Sequence, residues 1–159
     1  MWKPENRAEF GEIVADILRD PEVLALADVS QHSDYCSRLD HSIYVSYISF
    51  LACRRLGLDH VAAARAGLLH DFHFADESAS VKRLWRHPHD ALENAEKNHE
   101  LSDLERDIIV KHMWPLTRPL PRHKETFVVS LADKFCAMAE FSWLYRLFKV
   151  KKKLVPLAA

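Results

Sequence analysis

The sequence predicts an all-α, single-domain bundle of about six to seven helices. The chain has 159 residues, of which 48% are hydrophobic, so one sizeable core can be buried without disulfide bonds. It contains only 3 Gly and 7 Pro, and the prolines lie near the edges of apolar segments with helical periodicity. We therefore expect one domain over residues 1–159, with N-terminal packing helices in 1–30, a core at about 38–140 and a basic tail at 150–159.

The N-terminal part is predicted to contain two helices. Apolar residues recur at helical spacing over residues 5–18, and Pro21 opens a second, short helix through Ala27. Residues 29–40 are polar and aperiodic, which indicates a loop that ends on Asp40 as the N-cap of the next helix.

Capping residues and a proline predict where the helices in the middle of the chain begin and end. The helix predicted over 41–56 ends at Gly57, and Asp59 caps the following helix. Residues 73–86 mix charges with small side chains and are predicted to form a loop or lid with room for one short helix. Pro88 is predicted to begin the helix after this lid.

Two further helices complete the prediction. Ser102 followed by Glu105 is a capping-box pattern, which indicates the start of a helix. After a stiff connection with three prolines, the last long helix is predicted over about 125–149. The bundle is therefore assembled from amphipathic helices joined by short connections.

Several of the ten histidines stand with acidic residues at inward-facing positions of five predicted helices. His41, for example, continues the apolar stripe of its helix. An ionised carboxylate on such an inward face needs a partner charge or a metal ion. The six candidate metal ligands are His41, His70, Asp71, His89, His112 and Asp133.

Imidazole and carboxylate ligands together suit a borderline divalent metal. Fe or Mn is favoured on this ground, and Zn, Co, Ni or Mg stays open. If Asp71 uses both oxygens, it can bridge two ions about 4 Å apart, the arrangement of two-metal phosphoryl-transfer sites. One ion would then be held by His41, His70 and Asp133, and the other by His89 and His112.

The same residues resemble a known family signature. His41, the doublet in GLLHDF and Asp133 in VSLADKF are similar to the H…HD…D pattern of the HD superfamily, over roughly residues 38–140. The segments HPHDALENAEK and IIVKHMWPLT resemble a bacterial subgroup of HD phosphohydrolases, and their order is similar to that in HD dinucleoside tetraphosphatases. No GYP motif follows the doublet, which argues against the cyclic-di-GMP phosphodiesterase branch.

This resemblance implies an HD-domain fold and a metal-dependent phosphohydrolase that cleaves phosphomonoesters or phosphodiesters, often of nucleotides. It also implies that His89 and His112 bind a second metal ion. A metal-activated hydroxide would attack phosphorus while Asp71, with His70 beside it, orients the attack. The cations predicted to bind the substrate phosphate are Arg118, Arg122, Lys124, Arg38 and Lys134.

Composition limits the other functional classes. The formal net charge is −1, so no positive field would hold a nucleic-acid polymer, and no apolar run reaches the length of a membrane span. Three distant cysteines and a polar N-terminus indicate a cytoplasmic protein. The resemblance to HD phosphohydrolases implies a small phosphorylated substrate. A monomer and a homodimer are both compatible with these residues.

Two other functions stay open at this point. The same ligands around paired iron can activate oxygen, as in the HD proteins that are oxygenases, or the metal can serve only to stabilise a regulatory HD domain. Histidines outside the six candidates are expected to be exposed or in loops, although two of them are near enough in sequence to line the site, His73 and His87.

Overall fold

Seven α-helices and two short strands form the regular structure of the described residues, which are 3–33, 36–74, 81–118 and 120–141 of this computed structural model. The predicted all-α class is confirmed. Within these residues, no helix is both long and apolar enough to cross a bilayer. The helices are α1 (Pro4–Ile13), α2 (Pro21–Leu24), α3 (Arg38–Leu56), α4 (His60–Leu69), α5 (Val81–Asn98), α6 (Asp103–Lys111) and α7 (Lys124–Phe141).

The N-terminal region is more broken than its periodicity predicts. α1 ends at Ile13, and the rest of the predicted 5–18 helix forms a turn and a short 3₁₀ helix, Ile17–Arg19. Part of the predicted 29–40 loop is also ordered, because β1 (Ser30–Ser33) pairs with β2 (Cys36–Ser37) in antiparallel fashion. This pairing places β1 beside the start of α3.

The start of α3 corrects one prediction. Ser37, and not Asp40, is the N-cap: its side chain accepts a hydrogen bond from the Asp40 N–H at 3.1 Å. The Asp40 carboxylate in turn accepts from the Ser37 N–H at 3.3 Å, which completes a capping box. The helix therefore begins three residues earlier than predicted, and His41 lies in its first turn.

α3 is the central helix and packs closely on α4. Gly57 ends α3 in the left-handed conformation, with φ of 68°, and Asp59 caps α4 by accepting from the Ala62 N–H at 2.9 Å, as predicted. A Cβ at Gly67 would lie 3.0 Å from the Ser46 Cα, so the glycine permits this close approach. The end of α4 is thereby fixed against the middle of α3.

α5 begins well before the predicted position. Its first described residue is Val81, and Pro88 lies inside the helix rather than at its start. A proline there gives up one main-chain hydrogen bond, but His87, Ala91 and Ala95 form a buried face at four-residue spacing. Burial of this face outweighs the preference of proline for the first turn.

α6 begins with the predicted capping box, in which Ser102 accepts from the Glu105 N–H at 3.2 Å and Glu105 accepts from the Ser102 N–H at 2.7 Å. The Asp107 carboxylate then ties α6 to the start of α7. It accepts from the Thr126 hydroxyl at 2.7 Å and from the Arg122 N–H at 3.0 Å. The predicted end of the last helix beyond residue 141, and the basic tail at 150–159, lie outside the described residues.

Candidate metal centre

His41 is held between two carboxylates of α7. Its Nε2 lies 3.1 Å from Asp133 Oδ1, and its Nδ1 lies 2.8 Å from Glu140 Oε1. The side chains of His41 and Glu140 are fully buried, whereas 13% of the Asp133 side chain is exposed. Glu140 therefore orients the ring, and Asp133 faces the space beyond it.

His70 and His112 occupy equivalent places at the ends of two helices. Each is the C-cap residue of its helix, α4 or α6. The Nδ1–H of His70 donates to the Gly67 carbonyl at 2.8 Å, and the Nδ1–H of His112 donates to the Ile109 carbonyl at 2.8 Å. Because Nδ1 carries the proton in each ring, the Nε2 lone pair is available to a metal ion.

Asp71 lies between two sets of imidazoles. Its Oδ1 is 3.5 Å from His87 Nε2 and 3.5 Å from His112 Nε2, while its Oδ2 is 3.6 Å from His70 Nε2. The Nε2 atoms of His87 and His112 are 3.0 Å apart. The carboxylate thus presents one oxygen to each set. We call the six residues that meet here the cluster: His41, His70, Asp71, His87, His112 and Asp133.

The structure brings five of the six predicted ligands together and leaves the sixth, His89, exposed on α5 and outside the cluster. His87, expected in a loop but near enough in sequence to line the site, is buried within the cluster. Two residues along a helix correspond to about 200° of rotation, so the two side chains point in opposite directions. His73, also expected in a loop, is buried, and its ring stacks on that of His87 with 5.0 Å between centroids.

Burial and neighbouring charges set the protonation of the cluster. Burial opposes the protonation of His41, but its hydrogen bonds to Asp133 and Glu140 raise its pKa to about 10. Burial lowers the pKa of His112 to about 3. The pKa of Asp71 is held well below its usual range because the surrounding imidazoles outweigh the effect of burial. The buried negative charge is therefore balanced by protons, which a metal cation could replace.

The donor atoms fit a metal ion in number, kind and spacing. His70 Nε2 and Asp71 Oδ1 are buried and have no hydrogen-bond partner among the residues described. Ligand atoms about 2.1 Å from one ion, at octahedral or tetrahedral angles, are about 3.0–3.4 Å apart. The separations between Asp71 Oδ1, His87 Nε2 and His112 Nε2, at 3.0–3.5 Å, are close to these values.

The five cations predicted to bind phosphate lie in different surroundings. Arg118, Arg122 and Lys124 are exposed in or next to the α6–α7 connection. Lys124 precedes Asp133 by nine residues on α7, which is about 14 Å along the helix. Lys134 lies at the edge of the cluster, where its Nζ donates to the His112 carbonyl at 3.0 Å and is 3.9 Å from Asp133 Oδ2.

Arg38 is buried rather than placed to meet a substrate. Its Nε–H donates to Gln31 Oε1 at 2.8 Å, and its NH1 donates to the His73 carbonyl at 2.6 Å. The Gln31 amide donates in turn to Asp71 Oδ2 at 2.9 Å. The predicted role of Arg38 in phosphate binding therefore does not match its position.

Three residues at or around the cluster were not among the predicted site residues. His87 could have been found from its four-residue spacing with Ala91 and Ala95, which marks an inward face. Glu140 follows Asp133 by seven residues, and so by two helical turns, on the same face of α7. No sequence pattern points to Gln31, because the pairing of β1 with β2 brings it to Asp71.

One comparison with known proteins matches the part of the chain that holds the cluster. Neither the curated proteins nor the solved structures give a significant match to the chain. The family model described as HD domain matches residues 38–138, which include all six residues of the cluster. Since this match covers more than half of its length, the chain belongs to the HD domain family, a superfamily of metal-dependent phosphohydrolases.

Proposed function

We propose that this protein is a cytoplasmic phosphohydrolase with two divalent ions, and that it cleaves a phosphomonoester or phosphodiester of a small, nucleotide-type substrate. The observation that carries the proposal is that Asp71 Oδ2 faces His70, whereas its Oδ1 faces His87 and His112. A shared carboxylate of this kind is the usual bridge in two-metal phosphoryl-transfer sites. The cysteines are buried and form no disulfide among the described residues, which favours a reducing compartment.

The cluster supplies ligands for each proposed ion. His41, His70 and Asp133 would hold the first ion, and we call this set the first donor set. His87 and His112 would hold the second ion as the second donor set, and Asp71 would bridge the two. Bound divalent ions would lower the pKa of a coordinated water toward neutrality and offset charge on the phosphate. Fe or Mn remains favoured because the cluster combines imidazole and carboxylate ligands.

The side chains around the cluster determine where a substrate can enter. The side chains of His70, Asp71 and His112 are at most 6% exposed, but those of Asp133 and Lys134 are 13% and 32% exposed. The accessible side of the cluster is therefore the α7 side. We propose that the substrate phosphate approaches there, and that Asp71 accepts a hydrogen bond from the attacking water and orients it.

The exposed cations of the α6–α7 connection are proposed to bind more distant parts of the substrate. Arg118, Arg122 and Lys124 are solvent-accessible, and none has a described contact with the cluster. Replacement of Arg118 by Ala should leave the metal content unchanged and raise KM. An unchanged KM would remove Arg118 from the substrate site.

The test is hydrolysis of two chromogenic probes, p-nitrophenyl phosphate and bis-p-nitrophenyl phosphate, followed by a panel of nucleotides. The full chain, reconstituted with Mn²⁺ or Fe²⁺, should hydrolyse at least one of the probes. The Asp71→Asn variant should not, because it loses the bridging charge. Absence of hydrolysis by the metal-loaded wild type with every compound would contradict the proposal.

The same preparations separate the two other functions. Oxygen uptake by the iron-loaded protein with an organic substrate, without phosphate release, would favour an oxygenase. Binding of metal without any turnover, together with a partner interaction that Asp71→Asn abolishes, would favour a regulatory domain. Either result would replace phosphohydrolysis as the function of the cluster.

A further inference from the structure

A hydrogen-bonded chain outside the cluster ends on its bridging carboxylate. The Gln31 Nε2–H donates to Asp71 Oδ2 at 2.9 Å, and the Arg38 Nε–H donates to Gln31 Oε1 at 2.8 Å. Arg38 is 2% exposed. A buried arginine thus acts on Asp71 through a glutamine on β1.

The arginine fixes which way the glutamine amide faces. A guanidinium group can only donate hydrogen bonds, so the Gln31 oxygen must face Arg38. The amide nitrogen must then face Asp71, where it meets Oδ2. This contact holds the carboxylate in the rotation that leaves Oδ1 directed at His87 and His112.

Arg38 also acts on His87 by a second route. Its NH1 donates to the His73 carbonyl at 2.6 Å and lies 3.1 Å from His73 Nδ1. The His73 ring stacks on the His87 ring at an interplanar angle of 25°. Arg38 therefore supports two of the three ligands proposed for the second ion, Asp71 and His87.

We propose that Gln31 and Arg38 are positioning residues for the second donor set, and that they set the affinity for the second metal ion specifically. This proposal rests on the two-ion function proposed above. Without the Gln31 contact, the Asp71 carboxylate could turn and direct both oxygens to the first ion. The first donor set would keep its own ligands, because the hydrogen bonds of Gln31 and Arg38 given above lead to Asp71 and to the His73 carbonyl.

Two possible roles of Arg38 predict opposite effects of its removal on metal affinity. If Arg38 acted only through its positive charge, its removal would strengthen the binding of a cation nearby. If it holds ligands in place, its removal weakens the binding of the second ion. Loss of a residue that orients metal ligands lowers affinity about 10- to 100-fold in other metal sites.

The experiment is calorimetric titration of the metal-free full chain with Mn²⁺ alone. We expect two binding events in the wild type. In Gln31→Ala and Arg38→Ala, the weaker event should lose about tenfold or more in affinity, while the stronger event changes by less than about threefold. Arg38→Lys keeps the positive charge but cannot donate to both Gln31 Oε1 and the His73 carbonyl. Its Mn²⁺ affinities should therefore resemble those of Arg38→Ala.

Asn98→Ala is the matched control, because Asn98 also donates an amide hydrogen bond to a carboxylate, Asp20 Oδ2 at 3.0 Å, outside the cluster. It should bind Mn²⁺ like the wild type. Unchanged or tighter second-ion binding in Gln31→Ala or Arg38→Ala would overturn the proposal, as would equal weakening of both events. If Arg38→Ala does not fold, Gln31→Ala decides. A single event in the wild type would instead contradict the two-ion function itself.

Discussion

Asp71 and Asp107 are both buried acids, but their surroundings differ in kind. Asp107 is bound by donors of the protein itself: the Lys111 amine, the Thr126 hydroxyl and the Arg122 N–H. Asp71 receives one hydrogen bond, from Gln31, and its Oδ1 has no donor among the described residues although it faces two imidazoles.

This difference in donors is the one expected between an acid that stabilises the fold and an acid that binds metal. A buried carboxylate costs free energy unless its lone pairs are satisfied. At Asp107 the helix α6 and the start of α7 satisfy them, so the acid stabilises the fold. At Asp71 the Oδ1 atom is left without a donor beside the imidazole nitrogens of His87 and His112, an arrangement that fits a metal ligand.

The largest effect is expected at Asp71. Asp71→Asn should reduce the increase in Tm on addition of Mn²⁺ and lower turnover by more than about a hundredfold, because the carboxylate proposed to bridge the two ions is lost while the first donor set stays. Differential scanning calorimetry with and without Mn²⁺ measures the first effect. An unchanged Mn²⁺-dependent Tm increase would place Asp71 with Asp107 as a structural acid.

The next effect distinguishes His87 from His89. His87→Ala removes a ligand of the second donor set and should weaken the second Mn²⁺ by more than about tenfold. His89→Ala, on the exposed side of the same helix, is the matched control and should bind both ions like the wild type. Loss of an ion in His89→Ala but not in His87→Ala would reverse the assignment.

A smaller effect is expected at Glu140, which contacts His41 rather than an ion. Glu140→Gln keeps the shape of the side chain but removes the charge that orients the ring. It should weaken the first Mn²⁺ about tenfold, the low end for a residue that orients a ligand, and leave the second nearly unchanged. Isothermal titration of the two events checks this, and equal weakening of both would argue against separate donor sets.

The smallest effect is expected at Asp107, and it concerns stability alone. Asp107→Asn should lower the free energy of unfolding by about 1–3 kcal/mol at pH 7 and leave Mn²⁺ binding unchanged. The pKa of Asp107 is lowered from 3.8, since contacts with Lys111, Thr126 and Arg122 outweigh burial. Its contribution is therefore present above pH 3.8 and lost as the pH falls through the folded-state pKa.

Urea unfolding at several pH values tests this sign. The difference in stability between wild type and Asp107→Asn should be full at pH 7 and shrink below about pH 4. A difference that grows as the pH falls would contradict the structural role assigned to Asp107.

The cluster residues at helix ends were predictable because local sequence fixes where those helices begin or end. Ser102 and Glu105 set the start of α6, and the spacing from there brings His112 to its end, directed inward. His70 likewise follows α4, whose start Asp59 determines. For these residues the helical repeat and the caps were sufficient.

The place of His87 in the cluster was not predictable in the same way. Pro88 favours the first turn of a helix and so predicts a helix start there, with His89 in the first turn. The resemblance of HPHDALENAEK to HD phosphohydrolases then indicates His89 as a ligand. The actual helix runs through Pro88 because the face of His87, Ala91 and Ala95 is buried. Tertiary packing therefore determines where α5 begins. The Gln31 contact likewise depends on the pairing of β1 with β2, which no sequence pattern predicts.

The most direct test of the two-ion centre is the number of manganese ions per chain, measured by elemental analysis after reconstitution and gel filtration. We expect two ions per chain in the wild type and one in His112→Ala. The second donor set then loses the His112 Nε2 ligand, while the first donor set is intact. One ion in the wild type that His112→Ala does not affect would contradict it.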